Sequence, residues 1–224
     1  SVRLRRTIKG LPMKTITFYL DFVSPYAWLA FERLPQELEG LSYNIEYRPV
    51  LLGALLQQHG NPGPAGIAPK REWTYRHVMW LGHALGVPLQ TPVHHPFNSL
   101  GLLRQALACS SDGCINRFVT ETLLRHVWIG GHDALDTARL AQLAQELAPQ
   151  LQPATDSEHV KSLLRANTDT AAARGVFGVP AFVVDDQLFW GLDSLPMLRA
   201  YLQGDSWFST SACAAASVVQ GLPG

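Results

Sequence analysis

The chain has 224 residues, of which 47% are hydrophobic and only 16% charged, so it can bury a core without disulfides or metals and is too apolar for disorder. Eighteen Lys and Arg against eighteen Asp and Glu leave no net positive field for a polyphosphate backbone, which excludes DNA and RNA as principal partners. No run of about eighteen apolar residues is present, so no membrane-spanning helix is expected, and Cys109, Cys114 and Cys213 form no C-x-x-C pair and read as free thiols.

Residues 1–12 carry Arg3, Arg5, Arg6 and Lys9 with no acid and no apolar stretch, unlike a secretory signal. Because the sequence opens on Ser, this segment is expected to be a leader or an appended piece; a basic peptide for an acidic surface is the other reading. Ile16–Val23 is rich in β-branched and aromatic residues, as a buried strand is. Ser24-Pro25 then supplies an N-cap and a first helical residue, and Trp28, Leu29, Phe31 and Leu34 give that helix an apolar side before Gly40. Tyr43–Val50 alternates as a second strand, and a helix between two strands implies a parallel βαβ unit.

From about residue 60 to 175 the windows are helical, starting near Pro69, Asn98, Asp112 and Asp133, with a last one over Asp156–Ala173 ahead of Gly175. Five helices are expected there. Pro180–Val184, a turn at Asp185-Asp186 and Leu188–Trp190 read as an antiparallel hairpin, after which Asp193 caps a final helix to Leu202. Ser206–Gly224 lacks charge and is rich in Ser, Ala and Gly, so a loose tail is expected. This order describes an α/β, thioredoxin-like fold made of residues 13–65 and 175–205, with a helical domain, 66–174, inserted between its βαβ and ββα halves.

A serine at the start of a helix that follows a buried strand sits beside unpaired N–H groups at the positive end of the helix dipole, where anions are stabilised. Taken alone, Ser24 is better explained by ordinary capping, since Ser followed by Pro is a routine helix start. Val179-Pro180 opens a strand at the expected sheet centre, and a trans proline in that place would need no function.

Taken together, Phe18–Leu29 (FYLDFVSPYAWL), Gly60-Asn61 before a Pro-rich loop, Gly175–Pro180 (GVFGVP) and Phe189–Asp193 (FWGLD) resemble one known family. The sequence resembles the DsbA-like branch of the thioredoxin superfamily, and within it the 2-hydroxychromene-2-carboxylate isomerases and kappa-class glutathione transferases, from about Lys14 to Trp207. Redox members carry C-x-x-C where this chain has Ser24-Pro25-Tyr26-Ala27, and a hydroxyl and a methyl cannot exchange disulfides. Oxidoreductase activity is therefore not expected.

The resemblance implies glutathione as cofactor and gives Ser24 the catalytic role, its hydroxyl donating to the glutathione thiolate. It also implies a cis Pro180 facing the helix start, with the Val179 main chain pairing with the cysteinyl part. Asp193, with the Leu192 backbone, would hold the γ-glutamyl amine; a plain Asp N-cap explains it too. Asn61 matches the family's G-N, and either Lys70 or Arg71 matches the basic residue that meets the glycyl carboxylate. Ser194 stands where relatives often carry Arg. Tyr26, Trp73, Trp80 and Phe97 are candidate walls for a small aromatic substrate between sheet and helices, ordinary core packing being the alternative for both tryptophans. His94, His95, His126 and His132 lack metal-ligand spacing, and no metal site is expected.

The function implied is a glutathione-dependent isomerase, whose thiolate adds reversibly to an enone-like carbon. A kappa-like transferase and a non-catalytic peptide-binding module are the alternatives. The relatives imply a homodimer, and the lack of a secretory signal and of a dithiol pair leads to an expected cytoplasmic setting.

Overall fold

The computed structural model describes residues 13–152 and 157–216, so the basic segment expected to be a leader, the expected Asp156 helix start and the end of the tail lie outside the described residues. The first apolar run forms β1 (Lys14–Leu20), whose last five residues are buried. It stops at Leu20 rather than Val23 because the chain turns there, with Ser24 N–H donating to Asp21 O at 3.0 Å. Helix α1 (Pro25–Glu37) follows, then β2 (Tyr43–Pro49), parallel to β1 with Lys14 opposite Tyr43 and Leu20 opposite Pro49. After the helical region come β3 (Ala181–Val184) and β4 (Gln187–Trp190), antiparallel to each other; β3 also pairs antiparallel with β1. The sheet order is β2-β1-β3-β4, which makes β1 and β3 the central strands.

A sheet covered on both faces needs central strands without alternation, and β1 meets that need. Ile16, Phe18 and Leu20 pack with Phe31 and Leu34 of α1 and Phe182 of β3, while Tyr19 faces Val50, Val179 and Val183 on the opposite side. That second side is closed by Leu55 of α2 (Leu52–Gln58) and Ala171 of α7 (Ser157–Ala173). The last helix of the insertion thus also covers the sheet.

Between α2 and α7 lie α3 (Ala68–Leu85), α4 (Leu100–Leu107), α5 (Arg117–Trp128) and α6 (Thr137–Leu147), so α3 to α7 supply the five expected helices. Two begin later than expected. Asp112 does not start a helix; its carboxylate accepts from Cys114 N–H in a turn, and α5 is capped by Asn116, which accepts from Val119 N–H at 2.9 Å. Asp133 likewise caps a turn at Leu135, and Asp136 caps α6 through Arg139 N–H. Helix α8 (Leu195–Leu202) has Ser194, not Asp193, at its cap position. Within the described part of the tail, 206–209 form a 3-10 turn, 211–216 form α9 (Ser211–Ala216), and the Phe208 ring meets Tyr201 edge-on at 5.0 Å. Among the described residues no helix is long and apolar enough to cross a membrane.

Candidate functional site

The site begins where β1 becomes α1, and two carbonyls of that turn are held from elsewhere. Trp128 Nε1 of α5 donates to Phe22 O at 3.0 Å, and His95 Nε2 donates to Val23 O at 2.7 Å. The His95 ring is itself fixed: its Nδ1 lies 2.8 Å from the Tyr75 hydroxyl, and its edge meets Trp128 at 5.2 Å. Burial holds the His95 pKa below its ordinary value. The inserted helices therefore fix the backbone that precedes Ser24.

Asp21 holds the same turn from behind. It is fully buried, and its carboxylate accepts from Leu52 N–H at 3.0 Å, from Val23 N–H at 3.3 Å and from the Ser99 hydroxyl. Desolvation outweighs these bonds and pushes its pKa up to about 6. Since an unfolded aspartate titrates near ~3.9, the native chain binds this proton more tightly, and Asp21 should add stability as pH falls from 7 to 5. The expected gain by pH 5 is about 1–2 kcal/mol, read as the difference in urea-unfolding free energy between the parent and Asp21→Asn. His95 and His126, which burial pushes the other way, are present in both chains and cancel. A difference that stays flat over this range would show that Asp21 does not titrate there.

Ser24 is the N-cap of α1 and is only 5% exposed. Its oxygen accepts from Ala27 N–H at 3.2 Å, and its hydroxyl lies 3.4 Å from Val179 O, the residue before a cis Pro180. The two candidate positions are thus in contact across the fold. Val179 N–H has no partner among the described residues, which leaves an edge for an extended peptide. The loop before it is pinned by aromatic packing: Phe177 and Trp190 have ring centroids 4.9 Å apart, and a Cβ at Gly178 would come within 2.9 Å of Trp190 Nε1.

Asp193 lies in the 3-10 turn 192–194, and its carboxylate makes no hydrogen bond among the described residues. It sits over Gly191, where a Cβ would come within 2.5 Å of Asp193 Oδ1 and φ is +92°. Only glycine fits there. Ser194 is occupied locally, its hydroxyl donating to Gly191 O. The charge of Asp193 reaches the Tyr26 hydroxyl, raising a pKa that burial has already raised more.

Other expected residues are less committed to this site. Asn61 Oδ1 accepts from Gly63 N–H at 2.9 Å and shapes its own loop. Lys70 and Arg71 are exposed in the first turn of α3. Arg71 influences Tyr75, whereas Lys70 shares the helix face of Trp73 and His77. Phe97 meets the His95 ring edge-on at 6.0 Å. Trp73 and Trp80 are each 60% exposed, which rules out core packing; they stack on His77 with interplanar angles of 10° and 13°. Two clefts of about 490 and 500 Å³, one between α5 and α6 and the other beside Lys14 and Arg174, include none of the residues around Ser24.

Sequence reasoning missed Asp21, His77, His95 and Trp128 as parts of the site. A profile described as a DSBA-like thioredoxin domain matches residues 15–203. A 2-hydroxychromene-2-carboxylate isomerase of Sphingobium xenophagum is 32% identical over 199 residues, covering 84% of this chain and 98% of that protein. Glutathione S-transferase kappa 1 of Rattus norvegicus is 28% identical over 214 residues, covering 88% and 94%. Among solved structures, a 2-hydroxychromene-2-carboxylate isomerase superposes with a TM-score of 0.67 at 21% identity, over 92% of this chain and all of that one. The fold, the cis Pro180 facing a helix cap and these matches agree: the chain belongs to the DSBA-like thioredoxin family, on the branch of the 2-hydroxychromene-2-carboxylate isomerases and kappa-class glutathione transferases.

Proposed function

We propose that the chain is a glutathione-dependent isomerase acting on a small aromatic substrate. The observation that carries this reading is Ser24: a buried hydroxyl, where redox relatives would need a thiol, at a helix N-terminus and 3.4 Å from Val179 O. The chain's own groups fit a γ-glutamyl tripeptide. The unpaired carboxylate of Asp193 suits an ammonium, the Val179 main chain suits a peptide edge, and Lys70 or Arg71 suits the glycyl carboxylate. The N–H groups of Leu192 and Asp193, in the first turn of a 3-10 segment, suit the other carboxylate. When bound, glutathione supplies a soft thiolate that can add to an enone-like carbon and leave again. The protein's part is to hold and ionise it, Ser24 and the α1 dipole favouring the charged sulfur. A homodimer is the assembly this reading takes from the relatives, and a cytoplasmic setting is the one it takes from the lack of a dithiol pair.

A kappa-like transferase is the second reading, supported by kappa relatives at 24–28% identity. Counting free thiol while 2-hydroxychromene-2-carboxylate is consumed separates the two: a constant thiol count is expected, and loss of one thiol per turnover would establish transfer. A peptide-binding module predicts no glutathione dependence. Calorimetric titration should detect glutathione, and no heat at millimolar ligand, an affinity of only about −4 kcal/mol, would favour the module.

A further inference from the structure

Two residues past Ser24, the Tyr26 side chain leaves α1 toward α3, and its hydroxyl lies 3.0 Å from His77 Nδ1. His77 is flanked on its own helix by Trp73 and Trp80, four residues before and three after, whose rings lie parallel to its own with centroids at 6.0 and 6.4 Å. The parallel rings favour one imidazole plane, and in that plane Nδ1 points at Tyr26. The two tryptophans have no core to fill, since more than half of each is exposed. The charge of Asp193 also reaches the Tyr26 hydroxyl.

We propose that Tyr26 is an oxyanion donor of this site, presenting its hydroxyl hydrogen to a carbonyl or enolate oxygen of the aromatic substrate, with His77 as the residue that positions it. The logic is one of hydrogen count. A tyrosine hydroxyl has one hydrogen and can also accept, and a histidine Nδ1 is either donor or acceptor according to its tautomer. With Nδ1–H donating to the Tyr26 oxygen, the single hydrogen of Tyr26 is released into the site. Burial and the charge of Asp193 raise the Tyr26 pKa, which keeps the group a hydroxyl, the form that can donate. When a thiolate adds to the carbon–carbon double bond of an enone, the sulfur pair forms the new bond and the displaced π pair moves to the carbonyl oxygen. A fixed donor at that oxygen stabilises the charge where it develops, and elimination reverses the same electron movement with no proton consumed. The identity of this oxygen rests on the isomerase or transferase reading; the donor geometry does not.

The test uses 4-nitrophenol, a planar ring with one ionisable oxygen, bound to the full chain and titrated by its absorbance in place of turnover. A charge-assisted donor should favour bound phenolate about tenfold, lowering the apparent pKa of 4-nitrophenol by about one unit. Tyr26→Phe should abolish the shift while leaving glutathione affinity, measured by calorimetry, within twofold. His77→Ala should reduce the shift, and His77→Asn, whose amide nitrogen takes the place of Nδ1, should retain more of it than His77→Ala. An unshifted pKa in the parent, the same shift in Tyr26→Phe, or no binding of 4-nitrophenol at millimolar concentration overturns the proposal. Failure of the parent to bind glutathione refutes the functional reading instead, so the two failures are distinguishable.

Discussion

Replacing Ser24 with alanine is expected to raise the pKa of the bound glutathione thiol by about one to two units, because a hydrogen bond to a charged atom contributes roughly 1.5–3 kcal/mol. The geometry lets capping and thiolate binding coexist in one hydroxyl. Its lone pairs serve the helix, accepting from Ala27 N–H at 3.2 Å, while its hydrogen goes to Val179 O at 3.4 Å. That second bond is at the long limit for oxygen partners, so a ligand sulfur can take the hydrogen at little cost. Two measurements separate the roles. Loss of the cap should lower unfolding stability by about 0.5–2 kcal/mol, while loss of the thiolate bond should move the ultraviolet thiolate titration of the glutathione complex. Reduced stability with an unmoved titration would leave Ser24 as a cap and nothing more.

What could be read from residue order was set by local chemistry. β1, the Ser24-Pro25 helix start and the β3–β4 hairpin are specified by contiguous residues, and their types were plain. Helix α2 was not, because its N-cap position is Leu51, which offers no side-chain cap. The group serving its first N–H is Asp21, thirty-one residues earlier. A cap supplied across the fold leaves no local signature. The same reason explains the displaced starts of α5 and α6: an aspartate before a helical window can cap a turn as readily as a helix, and Asp112 and Asp133 do so. The exposure of Trp73 and Trp80 escaped notice because a face of aromatic residues at helical spacing is ordinarily buried. His95 and Trp128 escaped because their partners are backbone carbonyls more than seventy residues away.

Truncating Trp128 to alanine should destabilise the chain by about 3–5 kcal/mol, as emptying a large buried side chain does. Trp128 is 1% exposed and belongs to the core shared by α1, α4 and α5. Its loss would do more than leave a cavity. Phe22 O, paired only with Trp128 Nε1 among the described residues, would be stranded, and the His95 ring would lose the face it packs against. Both bear on the turn that carries Ser24. Trp128→Phe keeps most of the apolar volume while removing the donor, so it should cost about 1–3 kcal/mol for an unsatisfied buried carbonyl. If the insertion is a positioning device for the α1 start, Trp128→Phe should also weaken glutathione binding at temperatures where the variant is fully folded. Urea unfolding with an unchanged m-value gives the stability part, and calorimetry gives the binding part. A Trp128→Phe chain that loses stability yet binds glutathione like the parent would mean that the helical insertion packs against the site without setting its geometry.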